Sequence, residues 1–312
     1  MKTPHTFVLV PSYNHARFVG DCLRSIIGQT VPPKRLLVID DGSRDGSPRI
    51  IENVLKDCPF PSELVVRANK GLTRTLNEGF AKSTGEYFAY LGSDDIWFPG
   101  FLENRQRVLE ESPTAGVAYG NSYIVDEYGT IKDCTENWEL YAGGEIHSLL
   151  YSGLAPISSS VVYRRTAIES FSWDEDNQLE DYDCYLRILV RCVFAFDPQA
   201  LSAWRQHSSN ISLDSEMLLR ECLTAQTKNL QGLVGADELQ KIQNRTKLHH
   251  LEVFLRRGKK RAALRHMWRD ETLFISVLKS KRHVAKLICP HALVSLNQRI
   301  LKYRSARKYG RH

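Results

Sequence analysis

The chain holds no run of ~18 apolar residues and no Cys-x-x-Cys pair, and each absence removes a class of protein. Without such a run, no segment reads as a bilayer-spanning helix, which needs ~20 apolar residues. The short stretch Phe7-Val8-Leu9-Val10 is also too brief for a secretory signal. Seven cysteines lie scattered without paired spacing, so neither a zinc cage nor a disulfide framework is expected. A reducing cytoplasm is the expected setting. The sequence also lacks GxGxxG after a strand, GxxxxGK[ST], HExxH and GxSxG. Dinucleotide oxidoreductases, P-loop NTPases and α/β-hydrolases lose ground accordingly. No internal repeat and no low-complexity linker interrupts the chain.

What remains is globular in composition: 312 residues, 42% hydrophobic and 25% charged. That suffices for one α/β domain of ~200–250 residues and a smaller appendage. The net charge of +6 is unevenly placed. Residues 251–312 hold 17 Lys and Arg against Glu252, Asp270 and Glu271, so this tail carries +14 and residues 1–250 carry −8. A basic tail can meet nucleic acid, an anionic lipid surface or water. Its aromatics are sparse (Trp268, Tyr303, Tyr309), which argues against base stacking, and no nucleic-acid partner is expected. Its apolar residues Leu273, Phe274, Ile275, Val277, Leu278, Val284, Leu287, Ile288 and Leu301 alternate with Lys and Arg from Lys279 to Arg311. That pattern reads as a basic amphipathic helix able to lie in an anionic membrane interface.

Along the chain, residues 7–10, 36–39, 64–66 and 87–91 read as short buried strands, with helical periodicity over 18–27, 48–56 and 72–81 between them. This alternation implies an α/β fold, a mainly parallel sheet flanked by helices. Ligands of such sheets bind beyond the carboxyl ends of the strands. The loops there would bring Tyr13, Asp40, Asp41, Asp94 and Asp95 together. A helix over 99–112, a hairpin region at 117–125, a strand within 158–163 and a helix over 179–190 follow. The last helix turns Leu186, Ile188, Leu189 and Val190 inward and opens with Glu180-Asp181. Helices over 217–233, 236–256 and 259–268 then place a domain boundary near 213, giving an α/β domain at 1–212 and a helical basic region at 213–312.

Three acidic motifs carry the chemistry, and each has a plainer alternative. Asp40-Asp41-Gly42-Ser43 is either an Asx turn or a carboxylate that accepts from the imide N–H of a uracil-like base. Asp94-Asp95 is a helix cap, or a pair whose repulsion of ~1 kcal/mol or more is relieved by a cation. Mg2+ or Mn2+ with diphosphate oxygens as further ligands would suit it. Glu180-Asp181 either complements a helix dipole or supplies a rigidly held base for a sugar hydroxyl.

The ordered set Val10-Pro11-Ser12-Tyr13-Asn14, Val38-Ile39-Asp40-Asp41-Gly42-Ser43, Asn69-Lys70-Gly71 with Arg74 and Asn77, Gly85-Glu86-Tyr87, Leu91-Gly92-Ser93-Asp94-Asp95-Ile96-Trp97, Glu180-Asp181-Tyr182-Asp183-Cys184-Tyr185-Leu186-Arg187 and Trp204-Arg205-Gln206-His207 resembles the family-2 inverting glycosyltransferases with the GT-A fold. The resemblance covers about residues 6–212. It implies that Pro11, Ser12 and Tyr13 line a base pocket, with Tyr13 stacking, and that Asp40, beside Asp41, reads the base. Lys70 or Arg74 would approach the nucleotide. Asp94 and Asp95 would hold ribose and a Mg2+ or Mn2+ diphosphate unit, with His207 as a further metal ligand and Arg205 at the diphosphate. Asp181 matches the general base, oriented or tuned by Glu180. The implied reaction moves a hexose from a nucleotide-diphosphate sugar, a UDP-sugar by preference, to a hydroxyl of a glycan or polyprenyl-linked acceptor. Its implied setting is cell-surface polysaccharide synthesis, in the cytoplasm and peripheral at the inner face of the membrane. One departure stands out: many relatives carry an acid-x-acid triplet where this chain has Gly92-Ser93-Asp94.

Two rival readings are weaker. A metal-dependent nucleotidyltransferase would carry a Gly-rich loop after its first strand, where this chain has Pro11-Ser12-Tyr13-Asn14. A non-catalytic receiver-like module with an acidic pocket would carry paired acids after the first strand, whereas Asp40-Asp41 follows the second.

Overall fold

The uninterrupted apolar run of the first strand reflects burial on both faces. Side chains of a strand alternate between faces. Phe7 and Leu9 accordingly join Leu37, Ile39, Phe88 and Tyr90 in one core, while Val8 and Val10 join Leu36, Val38, Tyr87 and Ala89 in the other. The computed structural model describes residues 5–280 apart from 143, 171, 209 and 211–213, together with residues 284 and 308.

The first half of the chain runs β1 (Thr6–Ser12), α1 (Val19–Ile27), β2 (Arg35–Asp40), α2 (Ser47–Leu55), β3 (Ser62–Val66), α3 (Leu72–Ala81) and β4 (Tyr87–Tyr90). Then come β5 (Ile96–Trp97), α4 (Phe101–Glu111), β6 (Ala115–Asp126), β7 (Ile131–Cys134), α5 (Glu139–Ala142) and α6 (Ile146–Leu150). The remainder is β8 (Val162–Arg164), α7 (Arg165–Ile168), α8 (Glu180–Leu189), β9 (Val193–Gln206), α9 (Ser215–Leu230), α10 (Ala236–Arg256), α11 (Lys260–Arg269) and α12 (Glu271–Lys279).

One sheet links the strands in the order β3-β2-β1-β4-β8-β6-β9-β5, with β7 beside β6. The first four strands are parallel. Beyond them the sheet is mixed: β8 lies antiparallel to β4 and β6, β9 parallel to β6, and β5 antiparallel to β9. The mainly parallel expectation therefore holds for the four strands whose loops were read as functional, and the far half adds antiparallel pairs. Strand β9 has no clear signature in sequence because Asp197-Pro198-Gln199 in its middle reads as a turn. In the structure these residues form a bulge, where the register steps from Gly120↔Asp197 to Ser122↔Ser202. Arg105 of α4, fully buried, holds the bulge through an ion pair to Asp197 and donates from Nε to the Ser160 carbonyl at 3.0 Å. Burial lowers this guanidinium to about 10.

Helix α8 turns Leu186 and Ile188 inward as its periodicity predicts. Val190 is a correction: the helix ends at Leu189, and Val190, one residue past that end, is 51% exposed. Asp214 caps α9 by accepting from the N–H groups of Glu216 and Met217. Helices α9 to α12 build a small core of their own, with Leu251, Phe254, Met267 and Val277. Yet Cys222, Ala225, Leu230 and Ile242 belong to the main core, and Gln226 donates to the Tyr182 hydroxyl at 2.7 Å. Among the described residues, no helix is long and apolar enough to cross a membrane. Most of the basic stretch beyond Ser280 lies outside the described residues.

Candidate active site

The carboxyl ends of β1, β2 and β4 lie side by side. Ser12 pairs with Asp40, the Asp41 N–H donates to the Ser12 carbonyl at 2.8 Å, and the Leu91 N–H donates to the Leu9 carbonyl at 3.0 Å. Asn14 adopts a left-handed backbone and joins the two loops, donating to Ser43 Oγ (2.8 Å) and accepting from the Arg44 N–H (2.9 Å). Tyr13 is thereby left 48% exposed at the strand end. Pro11 is half-buried and Ser12 is buried, its hydroxyl without a partner among the described residues.

The two acids after β2 are occupied by the loops around them. Asp40 is fully buried and accepts from the Ser43 N–H and hydroxyl at 2.9 and 2.7 Å. Asp41 accepts from the N–H groups of Lys70 and Gly71, both at 2.8 Å, and pairs with Arg67. Gly42 fits between these loops because it has φ +82° and no Cβ, which would stand 2.8 Å from the Asn69 nitrogen. Lys70 and Arg74 are about half-exposed, their cationic groups 3.9 Å from Glu78 and 2.7 Å from Glu175 respectively.

A second cluster forms where β5 pairs with the end of β9, Ile96 opposite Ala203. This pairing sets the loop after β4 under the residues that close β9. Asp95 turns inward, and its carboxylate accepts the Arg205 N–H at 2.8 Å. Burial, with repulsion from Asp94, pushes the Asp95 carboxyl well above its usual range. Asp94 turns the other way, 2.9 Å from His207 Nε2 and 3.8 Å from His15 Nδ1. Burial opposes its charge, but the His207 hydrogen bond and nearby His15 outweigh burial and hold it below the ordinary carboxylate range. Ligand atoms of His15, Asp94 and His207 all lie within 4.8 Å of one another. Phe18 stacks on His207 at 4.9 Å and lies 5.1 Å from the Arg205 guanidinium, while Arg205 Nε donates to the Asp94 carbonyl at 2.8 Å. His15 is the residue that sequence reasoning missed. Its only signal was its place, two residues after Tyr13 in the loop following β1.

The third acidic motif opens α8. Burial, and then the Asp181 charge, pushes Glu180 up to about 8, and burial pushes Asp181 up to about 6. Asp181 also accepts from the Tyr182 N–H at 2.6 Å. Glu180 lies close enough to Tyr90, the last residue of β4, that its charge helps raise that phenol well above its usual value, after burial. Both Tyr90 and Asp94 thus belong to one strand end. The segment before α8 is held on α3 by Asn77, which exchanges hydrogen bonds with the Trp173 backbone at 2.7 and 3.0 Å. A hollow of about 290 Å³ lined by Pro113, Arg164 and Cys192 lies at the starts of β6 and β9, away from all these residues.

The ends of the parallel strands thus gather buried acids, a His–Asp–His trio and an exposed tyrosine on one α/β sheet. The model of the family described as Glycosyl transferase family 2 matches residues 7–171, and the chain belongs to that family. An uncharacterized glycosyltransferase of Nostoc sp. is 30% identical over 165 residues, covering 52% of this chain and 51% of that relative. The chain thus spans about half the length of that relative. The chondroitin synthase of Escherichia coli is 24% identical over 60% of this chain and 27% of its own length. In fold, the chain resembles S. aureus TarS 1-349 in complex with UDP-GlcNAc (TM-score 0.65, 16% identity, covering 99% of this chain and 93% of that one). It also resembles the mannosyltransferase PcManGT from Pyrobaculum calidifontis in complex with GDP-Man and Mn2+ (TM-score 0.63, 16% identity, 100% and 89%). The fold is GT-A with C-terminal helices added. Glu180, Asp181, Arg205 and His207 all lie beyond the matched span.

Proposed function

We propose that the chain is an inverting hexosyltransferase, in which Asp181 takes the proton of an acceptor hydroxyl as that oxygen attacks the anomeric carbon of a nucleotide-diphosphate sugar. The observation that carries this reading is the carboxylate pair that opens α8, near enough to Tyr90 at the end of β4 for its charge to raise that phenol, with Asp94 four residues further along the chain. Raised by burial, Asp181 is a stronger base than an ordinary carboxylate yet still ionised at neutral pH, which suits a general base. Glu180 stays protonated beside it, so the pair carries a single charge. Inversion follows from attack on the face opposite the leaving nucleoside diphosphate.

The donor is proposed to lie along the ends of β1 and β2. Tyr13 stacks on the base, and Pro11 with the Ser12 hydroxyl closes the pocket beneath it. Asp40 and Asp41 act through the loop they hold, while Lys70 and Arg74 stand outside it as cations that can turn to the phosphates. UDP-GlcNAc bound to TarS and GDP-Man bound to PcManGT support a nucleotide sugar as donor. The name of the chondroitin synthase relative supports a growing glycan as acceptor, in polysaccharide synthesis.

A divalent cation, Mg2+ or Mn2+, suits the donor set of one carboxylate and two imidazoles, and Mn2+ bound to PcManGT supports it. Asp94 and His207 would hold it, and when bound it supplies positive charge to the departing diphosphate. Asp95 positions Arg205 at the back of that cluster.

The basic C-terminal region is proposed to rest on an anionic membrane face in the cytoplasm, where a lipid-linked acceptor is reached. Helices α11 and α12 favour this. Trp268 and Leu278 are 73% and 57% exposed, Leu264 lies one turn before Trp268, and the same two helices carry Arg261, Arg265 and Lys279.

Asp181→Asn tests the central claim. It should abolish transfer while a panel of UDP- and GDP-sugars, assayed with Mn2+, still raises the melting temperature as for the wild type. Retained turnover would remove Asp181 as the base, and a panel in which no nucleotide sugar shifts the wild-type melting temperature would sink the donor reading.

A further inference from the structure

The loop after β4 presents one carboxylate to the cation-type cluster, since Asp95 is turned to the Arg205 N–H. Gly92 is what lets Asp94 do so. A Cβ at position 92 would stand 2.9 Å from Asp94 Oδ1, so an acid there would displace the very carboxylate that faces His15 and His207. On the opposite side, the loop after β1 delivers His15, whose Nδ1 is 2.8 Å from Ser93 Oγ and 3.8 Å from Asp94 Oδ1. The two imidazole rings meet edge to face at 5.5 Å, and Phe18 stacks behind His207.

We propose that His15 is a metal ligand that takes the place of the acid missing at position 92, and that the resulting His–Asp–His set prefers Mn2+ and later divalent ions over Mg2+. The spacing suits it. Donor atoms bound at about 2.1 Å to one ion stand about 3–4 Å apart, and here His207 Nε2 and His15 Nδ1 lie 2.9 and 3.8 Å from the Asp94 oxygens, with one ligand atom of each residue within 4.8 Å of the others. The chemistry gives the preference: Mg2+ favours all-oxygen shells and keeps its waters, whereas imidazole nitrogens bind Mn2+, Co2+ and Zn2+ with rising affinity. A site of two acids and one histidine would discriminate less. The role of the ion in transfer rests on the proposed function; the site itself is measured without turnover.

The test uses the full chain stripped with EDTA, titrated with Mn2+ while the free ion is followed by its EPR signal, alone and with UDP. One Mn2+ should bind, and about a hundredfold excess of Mg2+ should be needed to displace half of it. His15→Ala should weaken Mn2+ binding by about tenfold or more. His15→Asp should restore binding while reducing the Mg2+ excess required, because an oxygen ligand returns. His15→Gln, similar in size and a poor ligand, should behave as the alanine variant does, and its melting temperature reports folding. Wild-type Mn2+ affinity in both His15→Ala and His15→Gln would overturn the proposal, as would equal competition by Mg2+ or no Mn2+ binding in the presence of UDP. If Mn2+ binds as described but no nucleotide sugar raises the melting temperature, the proposed function fails and the metal site stands.

Discussion

Glu180 and Asp181 are adjacent in sequence and both half-buried, but they do not share one fate. Glu180 is protonated at neutral pH and Asp181 is ionised, because burial raises both and the Asp181 charge raises Glu180 further. Transfer with Asp181 as base should therefore rise with pH through about 6, a range above that of ordinary carboxylates, as read from a pH profile of kcat. Stability gives an independent reading of Glu180. Its carboxyl titrates at 4.5 ordinarily and at about 8 in the folded chain, so the folded state holds a proton that the unfolded state has released. That contribution is whole below the unfolded value and is lost as pH climbs toward 8. Glu180→Gln should flatten the decline of melting temperature between these limits, and an unchanged slope would mean that Glu180 is charged in the folded protein. Tyr13 offers the complementary case. About half-exposed and bearing on no core, Tyr13→Ala should leave the melting temperature nearly unchanged while weakening UDP binding by about 1–3 kcal/mol, the worth of a base–aromatic stack, as calorimetry would measure.

At the scale of elements, β9 decides whether the site is assembled. Its end carries Arg205, with His207 one residue beyond it, and its middle is a bulge tied to α4 by the buried Arg105–Asp197 pair. A buried ion pair adds little net stability over an apolar pair, but removing one partner leaves the other charged and unpaired. Arg105→Met should therefore destabilise the fold by about 3–5 kcal/mol in denaturant titrations, and Arg105→Met with Asp197→Leu should recover much of that loss. Equal stability of the single and double variants would show that the pair is not coupled. The loops after β1 and β2 are tied down by side chains rather than by regular structure. Asp40, Asp41 and Asn14 satisfy the loop N–H groups one by one, leaving Tyr13 projecting from a fixed base.

Over the whole molecule, the helical region is fused to the catalytic sheet rather than strung from it. Helices α9 and α10 supply Cys222, Ala225, Leu230 and Ile242 to the main core, and Gln226 bridges Tyr182 and Thr246 at 2.7 Å each. What these helices leave uncovered is the apolar stripe of α11 and α12, with Trp268 against Phe274 at 5.4 Å. Trp268→Ser with Leu278→Ser should lower binding to anionic vesicles by about tenfold or more, since each side chain removed forfeits on the order of 1.5–3 kcal/mol of burial. Sedimentation with vesicles measures it, and the melting temperature should hold because both side chains are exposed. Binding to neutral vesicles as tight as to anionic ones would discard the electrostatic part of the reading.

The sequence by itself determined what depends on near neighbours. Short continuous apolar runs marked the four parallel strands, period-3.6 patterning marked the helices between them, and α10 runs over the same 236–256 that its periodicity predicts. The acidic loops at the strand ends were legible for the same reason, since each motif is continuous in the chain. Tertiary structure alone decided which member of each acidic pair does what. Asp95 is drawn inward by an N–H that lies 110 residues away, and Asp94 is left to face His207, 113 residues away, and His15, which arrives from the far side. A carboxylate turns toward whatever partner the packed sheet delivers, and the pairing of β5 with β9 that brings Arg205 and His207 to this loop leaves no periodic trace in either segment.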